Sequence, residues 1–281
     1  MKKRILTKKQ VVEFRKHLIR EERSEATIYK YDRDIAGFTA FAGDSELSKE
    51  LVISYKNKLI EEGYAVRSIN SMISAVNSLF DFLDWQELKV KVIKHQQQIY
   101  CSEEKELTKA EYVRLVLTAK EAGNERLSLM LQTICGTGIR VSELRYITVD
   151  AARRGEATVS LKGKTRVVMI VKPLQKKLLE YADEQGITFG PVFLSSNGNP
   201  LGRSNVWREM KALCEKAGVT PEKVYPHNLR HLFARSFYGI EKDIAKLADV
   251  LGHSNINTTR IYIVSTGAEH RKNMEKMNLI L

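Results

Sequence analysis

The chain has 281 residues, about two domains at roughly 150 residues each, and is long enough to bury a core without disulfide or metal staples. With 46 Lys and Arg against 34 Asp and Glu it carries a formal charge of +12, yet 43% of its residues are apolar. A disordered basic tail is thereby excluded, and a folded chain this basic points to a polyanion, nucleic acid first and an acidic membrane surface second. In chain order, Thr7 and Gln10 form a capping box ahead of Val11, Phe14, Leu18 and Ile19 at helical spacing. A second helix runs from about Ala26 through Ile28, Tyr31, Ile35 and Phe38 to Gly43. A third starts near Ser48, carries Leu51, Val52, Tyr55 and Leu59, and stops at Gly63. A fourth places Val66, Ile69, Ile73, Val76, Phe80 and Leu83 on one stripe. Four helices without a strand signal predict a helical bundle over residues 1–92, and residues 93–106, which lack an apolar period, read as a linker.

A second capping box, Thr108 to Glu111, opens the larger domain, residues 107–281. Helical patterns follow over about 125–135, 142–148, 173–185, 204–217, 228–238 and 243–251. Between them the β-rich runs 157–161 and 167–171 are joined by Lys162-Gly163-Lys164-Thr165-Arg166, which predicts an antiparallel hairpin with a solvated basic tip. Near the end, Thr266 and Glu269 form a third capping box, and His270, Met274, Met277 and Leu281 make an apolar-leaning stripe, so 266–281 reads as a tail helix. The expected class is mainly α with one small antiparallel sheet, a four-helix N-terminal bundle followed by an α/β domain. Both halves carry a basic excess, so both are expected to touch the polyanion.

Cys101, Cys135 and Cys214 lie far apart and form no CxxC pair, so neither a disulfide framework nor a zinc site is expected. The basic Met1–Arg4 is not followed by a signal-peptide core, and no run approaches the ~18 apolar residues of a membrane span. The expected location is the cytoplasm. Gly-rich phosphate loops, HExxH and EF-hand patterns do not occur. What the second half does hold is a set of cationic groups at helix junctions. Arg140 follows Gly136 and Gly138, with Ser142 available to cap the next helix and Glu143 three residues on as an ion-pair partner. His227 and Arg230 are three apart and share one face near a helix N-terminus, an end that favours anions. His253 follows Gly252 at the end of another helix, and Tyr262 stands on the helical segment beyond it. His231 is expected to be a structural neighbour.

The strings GTGIRVSEL, HNLRH and LGHSNINTTRIY, beginning at Gly136, His227 and Leu251, resemble in order and spacing the signature of the tyrosine recombinases, the integrase family that includes the Xer-type enzymes. The resemblance covers the whole chain, because the N-terminal bundle is similar to that family's SAM-like core-DNA-binding domain. It implies a catalytic domain at 107–281, double-stranded DNA clamped between two basic domains, and a catalytic set of Arg140, Lys162, His227, Arg230, His253 and the nucleophile Tyr262. The chemistry of these groups agrees with that set. A tyrosine can store the bond energy of a phosphodiester as a covalent 3′-phosphotyrosine, and two arginines can clamp its non-bridging oxygens. His227 is suited to take the phenol proton, His253 to donate to a non-bridging oxygen, and Lys162 to protonate the leaving 5′-oxygen. Lys164 and Arg166 share the hairpin with Lys162. Neither metal nor cofactor is expected, and neither a membrane nor a small-molecule substrate is an expected partner. A type IB topoisomerase would use the same chemistry; the tail helix favours a recombinase, because strand exchange couples four active sites. That predicts a homo-oligomer, a tetramer on paired sites, with the tail helix exchanged between protomers.

Overall fold

The apolar stripes of the first hundred residues become four helices because each begins at a side chain that can satisfy the free N–H groups of a first turn, or at a bend that excludes further winding. The computed structural model describes residues 4–94, 105–161, 164–195, 197–262 and 275–277, and divides into two compact units between Gln97 and Gln98. In the first unit, α1 (Lys8–Arg20) opens on the reciprocal Thr7–Gln10 box, while Ser24 and Ser48 cap α2 (Glu25–Ala42) and α3 (Lys49–Glu61). The fourth, α4 (Val66–Phe82), has no side-chain cap at Ala65. Their stripes meet in a core containing Phe38, Val52, Ile69, Ile73, Val76 and Phe80. Phe38 sits edge-on to Tyr55 and Phe80, with ring centroids 5.2 and 5.9 Å away, the geometry that aromatic quadrupoles favour. Beyond α4, two side-chain amides hold the extended exit of the unit. Asn77 donates to the Val90 carbonyl at 2.9 Å and accepts from its N–H at 3.1 Å; Asn70 does the same for Ile93 at 2.9 and 2.8 Å.

In the second unit, α5 (Lys109–Glu121) opens on the Thr108–Glu111 box. The next helix, α6 (Glu125–Thr137), buries Leu127, Leu129, Met130, Leu131 and Ile134, as a helix apolar on every side must. Gly138 ends it with a left-handed φ of +64°, and a Cβ there would lie 2.5 Å from the Phe233 ring, so both backbone and packing require glycine. A 3-10 helix, Val141–Tyr146, and a short α7 (Val149–Arg154) stand where one helix over 142–148 was expected. The strands β1 (Glu156–Leu161) and β2 (Lys164–Met169) pair antiparallel, with Leu161 opposite Lys164 and Val159 opposite Arg166. The second strand therefore starts earlier than the 167 expected, and Arg166 lies inside the ladder instead of on a solvated tip. Ala157, Val159, Val168 and Ile170 face the core, while Val167 and Met169 face out.

The remaining described α-helices are α8 (Lys172–Glu184), α9 (Arg203–Ala212), α10 (Cys214–Ala217), α11 (Pro226–Glu241), α12 (Ile244–Leu251) and α13 (Ile256–Arg260). The helix expected over 204–217 is thus split at Leu213. Cys135 and Cys214 are free thiols, and burial pushes that of Cys135 up to about 12. No described helix is long and apolar enough to cross a membrane. The expected tail helix, apart from residues 275–277, lies outside the described residues, as do Lys162 and residues 95–104 of the expected linker.

Candidate active site

Arg140 is positioned from both sides by its own neighbourhood. The left-handed turn at Gly138 ends α6, and Arg140 becomes the residue from which the 3-10 helix starts. Ser142 does not cap that helix as expected. The Glu143 carboxylate does, accepting the Arg140 backbone N–H at 2.9 Å and its Nη1 at 2.8 Å; a charged acceptor three residues on outcompetes a hydroxyl two residues on. Glu143 is 1% exposed. Burial alone would raise its pKa, but the Arg140 hydrogen bonds and the charges of Arg166 and Arg140 hold it below the usual carboxylate range.

The hairpin contributes Arg166. Its Nη2 donates to Glu143 Oε2 at 2.7 Å and its Nη1 to the Val250 carbonyl at 2.9 Å. Arg166, expected on the solvated tip, lies within β2 opposite Val159. Period two was the missed signal, since Arg166, Val168 and Ile170 alternate onto one face and the latter two are buried.

Pro226 at the first turn of α11 fixes the helix start, and the 3.6-residue period then brings His227, Arg230 and His231 to the same side. Arg230 is 1% exposed. Its Nη1 donates to the Gly138 carbonyl, and its Nη2 donates to the Leu251 carbonyl at 2.7 Å and lies 3.0 Å from His253 Nε2. A guanidinium can only donate, so Nε2 of His253 is assigned as the acceptor and Nδ1 as the protonated nitrogen, 2.9 Å from the buried Thr259 Oγ1. Both ring nitrogens are thus engaged within the protein. Burial first, then Arg230, Arg140 and Arg166, press the His253 pKa down to about 4. Thr259 had no signal in the sequence; its contact depends on where α13 packs.

Tyr262 follows α13 directly and is 3% exposed, packed with Ala234, Leu247 and Leu251. Its hydroxyl lies 3.4 Å from His227 Nε2, and its ring centroid is 4.3 Å from that of His231 and 5.5 Å from that of His253. Burial, followed by the charges of Arg230, Arg140 and Arg203, lowers the His227 pKa below its ordinary value; burial, His227 and Arg230 take His231 down to about 4. The imidazoles around the phenol are therefore neutral near pH 7, and the ring nitrogen that faces the hydroxyl is His227 Nε2. Five of the six expected residues converge here, and Lys162 lies outside the described residues.

Charge is unbalanced in this site. One carboxylate, Glu143, is shared by Arg140 and Arg166, while Arg230 is held by two carbonyls, an imidazole and the Tyr262 side chain, and its buried Nε has no acceptor within the described protein. Burial and the nearby Arg140 lower even its pKa to about 10, although Tyr262 works in the opposite direction. A buried cation without a carboxylate destabilises the fold unless an anion is brought to it. Among the described residues no group of three or more His, Cys, Asp or Glu side chains is arranged to hold a metal ion.

The phage integrase family model matches residues 105–269, and that of the phage integrase N-terminal SAM-like domain matches residues 11–87. The chain is 29% identical to the tyrosine recombinase XerA of Pyrococcus furiosus, covering 100% of this chain and 98% of that protein. It is 30% identical to XerA of Thermococcus kodakarensis over 96% and 95% of the two chains, and 26% identical to XerD of Vibrio cholerae over 85% of each. A lambda integrase dimer bound to a COC′ core site has the same fold, with a TM-score of 0.74 at 19% identity over 92% of this chain and 78% of that one. So does XerH site-specific recombinase bound to difH substrate, with a TM-score of 0.69 at 19% identity over 96% and 89%. An excess of guanidinium around a tyrosine flanked by neutral histidines, set in a chain that the integrase model matches over more than half its length, identifies this protein as a member of the phage integrase family, a tyrosine-type site-specific DNA recombinase.

Proposed function

We propose that Tyr262 is the nucleophile and that Arg140, Lys162, His227, Arg230 and His253 complete the catalytic set. The observation that carries this reading is the Tyr262 hydroxyl beside neutral His227, in a pocket whose arginines outnumber its carboxylate. The phenol proton passes to His227 Nε2 while the tyrosyl oxygen forms a bond to phosphorus. The bond from phosphorus to the 5′-oxygen breaks, and Lys162 supplies the proton that the 5′-oxygen takes. Arg140 and Arg230 hold the non-bridging oxygens, with the free Nε of Arg230 available as a donor. The engaged nitrogens of His253 favour orienting Arg230 over the direct donation to phosphate expected from sequence. Attack by a 5′-hydroxyl on the phosphotyrosine reverses each transfer and rejoins the strand. Tyr262 is buried, so attack also requires it to leave the apolar contacts of Ala234, Leu247 and Leu251.

Double-stranded DNA is the partner this reading assigns to both units: 1–92 as the core-binding domain, 107–281 as the catalytic domain and 93–106 as the linker. In the first unit a cleft of about 620 Å³ is bordered by Lys30, Arg33 and Arg67. The buried Asp34 carboxylate holds Lys30 and Arg33 at its edge, a cationic surface suited to phosphate contacts. Related folds have been solved as a lambda integrase dimer on a core site and a tetramer on a Holliday junction. By extension this chain assembles as a tetramer on paired sites, with the 266–281 tail helix docked on a neighbouring protomer. The cytoplasm is the compartment this DNA substrate implies. The test is a pool of nicked duplexes from which the cleaved fragment diffuses away. The wild-type protein should accumulate a covalent adduct, with or without excess chelator, and Tyr262→Phe should bind the pool and form none. An adduct surviving in Tyr262→Phe reassigns the nucleophile.

A further inference from the structure

We infer that Arg166 is a positioning residue for strand cleavage, one guanidinium that sets the aim of both Arg140 and the Gly252–His253 turn. The inference rests on the catalytic set proposed above. Three observations carry it. First, Arg166 Nη2 donates at 2.7 Å to the same Glu143 oxygen, Oε2, that accepts the Arg140 backbone N–H at 2.9 Å. Glu143 is buried, so its rotamer depends on those partners, and Arg140 Nη1 is held by its other oxygen at 2.8 Å.

Second, Arg166 Nη1 donates at 2.9 Å to the carbonyl of Val250, and Arg230 Nη2 donates at 2.7 Å to the carbonyl of Leu251. Two guanidiniums therefore take consecutive carbonyls at the C-terminus of α12, where the helix dipole favours cations. The chain then turns at Gly252 into His253. Third, the turn and the arginine are fitted to each other. Gly252 has a φ of +66°, and a Cβ on it would lie 2.2 Å from Arg166 Cδ and 2.8 Å from its Nε. The Arg166 stem fills the space that a side chain at 252 would need.

A fork donor is required here. Lysine keeps the charge but presents one nitrogen, which cannot reproduce two planar donors directed at a carboxylate and a carbonyl on separate elements. Arg166 has no role in contacting the phosphate in this account; it acts through Arg140, whose task is to stabilise charge on a non-bridging oxygen. Its loss should therefore harm cleavage of an ordinary phosphodiester and be forgiven when that charge is removed from the substrate.

The experiment is single-turnover cleavage of a nicked duplex carrying the sequence recovered from trapped complexes. The scissile group is a phosphodiester in one arm and a neutral methylphosphonate in the other. Arg166→Lys and Arg166→Met are compared with wild type, with DNA affinity and thermal midpoint measured alongside. For Arg166→Lys, which keeps charge and stem and so preserves folding, we expect a loss of about tenfold to 10²-fold on the phosphodiester, the scale of a small misplacement of a catalytic group. On the methylphosphonate the loss should shrink to within about threefold, with affinity for DNA unchanged. Wild-type rates in Arg166→Lys on the phosphodiester, or equal losses on both substrates, would overturn the inference, the second outcome marking a purely structural residue. Failure of the wild-type protein to form any adduct would instead sink the catalytic assignment beneath it.

Discussion

Arg230 is the side chain whose placement is hardest to explain by folding alone: it is hydrogen-bonded to carbonyls and an imidazole, and its burial, with the charge of Arg140 added, lowers its pKa to about 10. The histidines around it share that strain. His231 and His253 have folded-state pKa values near 4, below the usual 6.5, so both states are neutral above pH 6.5 and the unfolded chain binds the extra protons below it. Stability is accordingly complete above pH 6.5 and is lost as pH falls towards 4. A urea midpoint followed across that window should decline with acidity, and His231→Phe, which keeps a ring against Tyr262 but cannot titrate, should flatten part of the decline. An unchanged slope would mean that His231 titrates normally. The same lowering at His227 keeps the proposed proton acceptor of Tyr262 in its neutral form at neutral pH.

Among the elements, the C-terminal end of α12 has the least freedom to change. Its terminal glycine combines a left-handed backbone with the stem of Arg166, from the β-hairpin, standing where a Cβ would have to go. Gly252→Ala should cost about 1–2 kcal/mol for the backbone alone and should also displace Arg166. The expected outcome is a lowered thermal midpoint together with slowed cleavage; a variant that loses stability and still cleaves at the wild-type rate would separate the turn from the site. Gly138 is constrained in the same way by Phe233, so the turns on either side of Arg230 are both glycine for tertiary reasons. The 3-10 helix at 141–146, standing where a helix over 142–148 was expected, belongs to this group. Arg140 begins it and Glu143 is buried in it, and that carboxylate is held by an arginine 23 positions away.

For the molecule as a whole, the proposed assembly makes the tail separable from catalysis. Deleting residues 268–281 should leave binding to one half-site nearly intact, weaken cooperative filling of the second, and abolish recombination; full-rate recombination of paired sites by the truncated protein would remove the tail from assembly. Charge and length were enough to indicate a folded, polyanion-binding chain of two parts. Local order determined much more, because capping boxes at Thr7 and Thr108 and stripes such as Ile69, Ile73, Val76 and Phe80 act within a few residues of themselves. The motif strings likewise located Arg140, His227, Arg230, His253 and Tyr262. What they could not convey was how those residues meet. The bond from Arg166 to Val250 spans 84 positions and that from Arg230 to Gly138 spans 92, and no local pattern encodes contacts at that separation. Tertiary packing therefore decided that Arg166 leaves the hairpin tip for the site, that His253 accepts from Arg230, and that Tyr262 is buried among Ala234, Leu247 and Leu251. In each case the deciding cause is the need to satisfy a buried charge or cover an apolar ring with groups from distant parts of the chain.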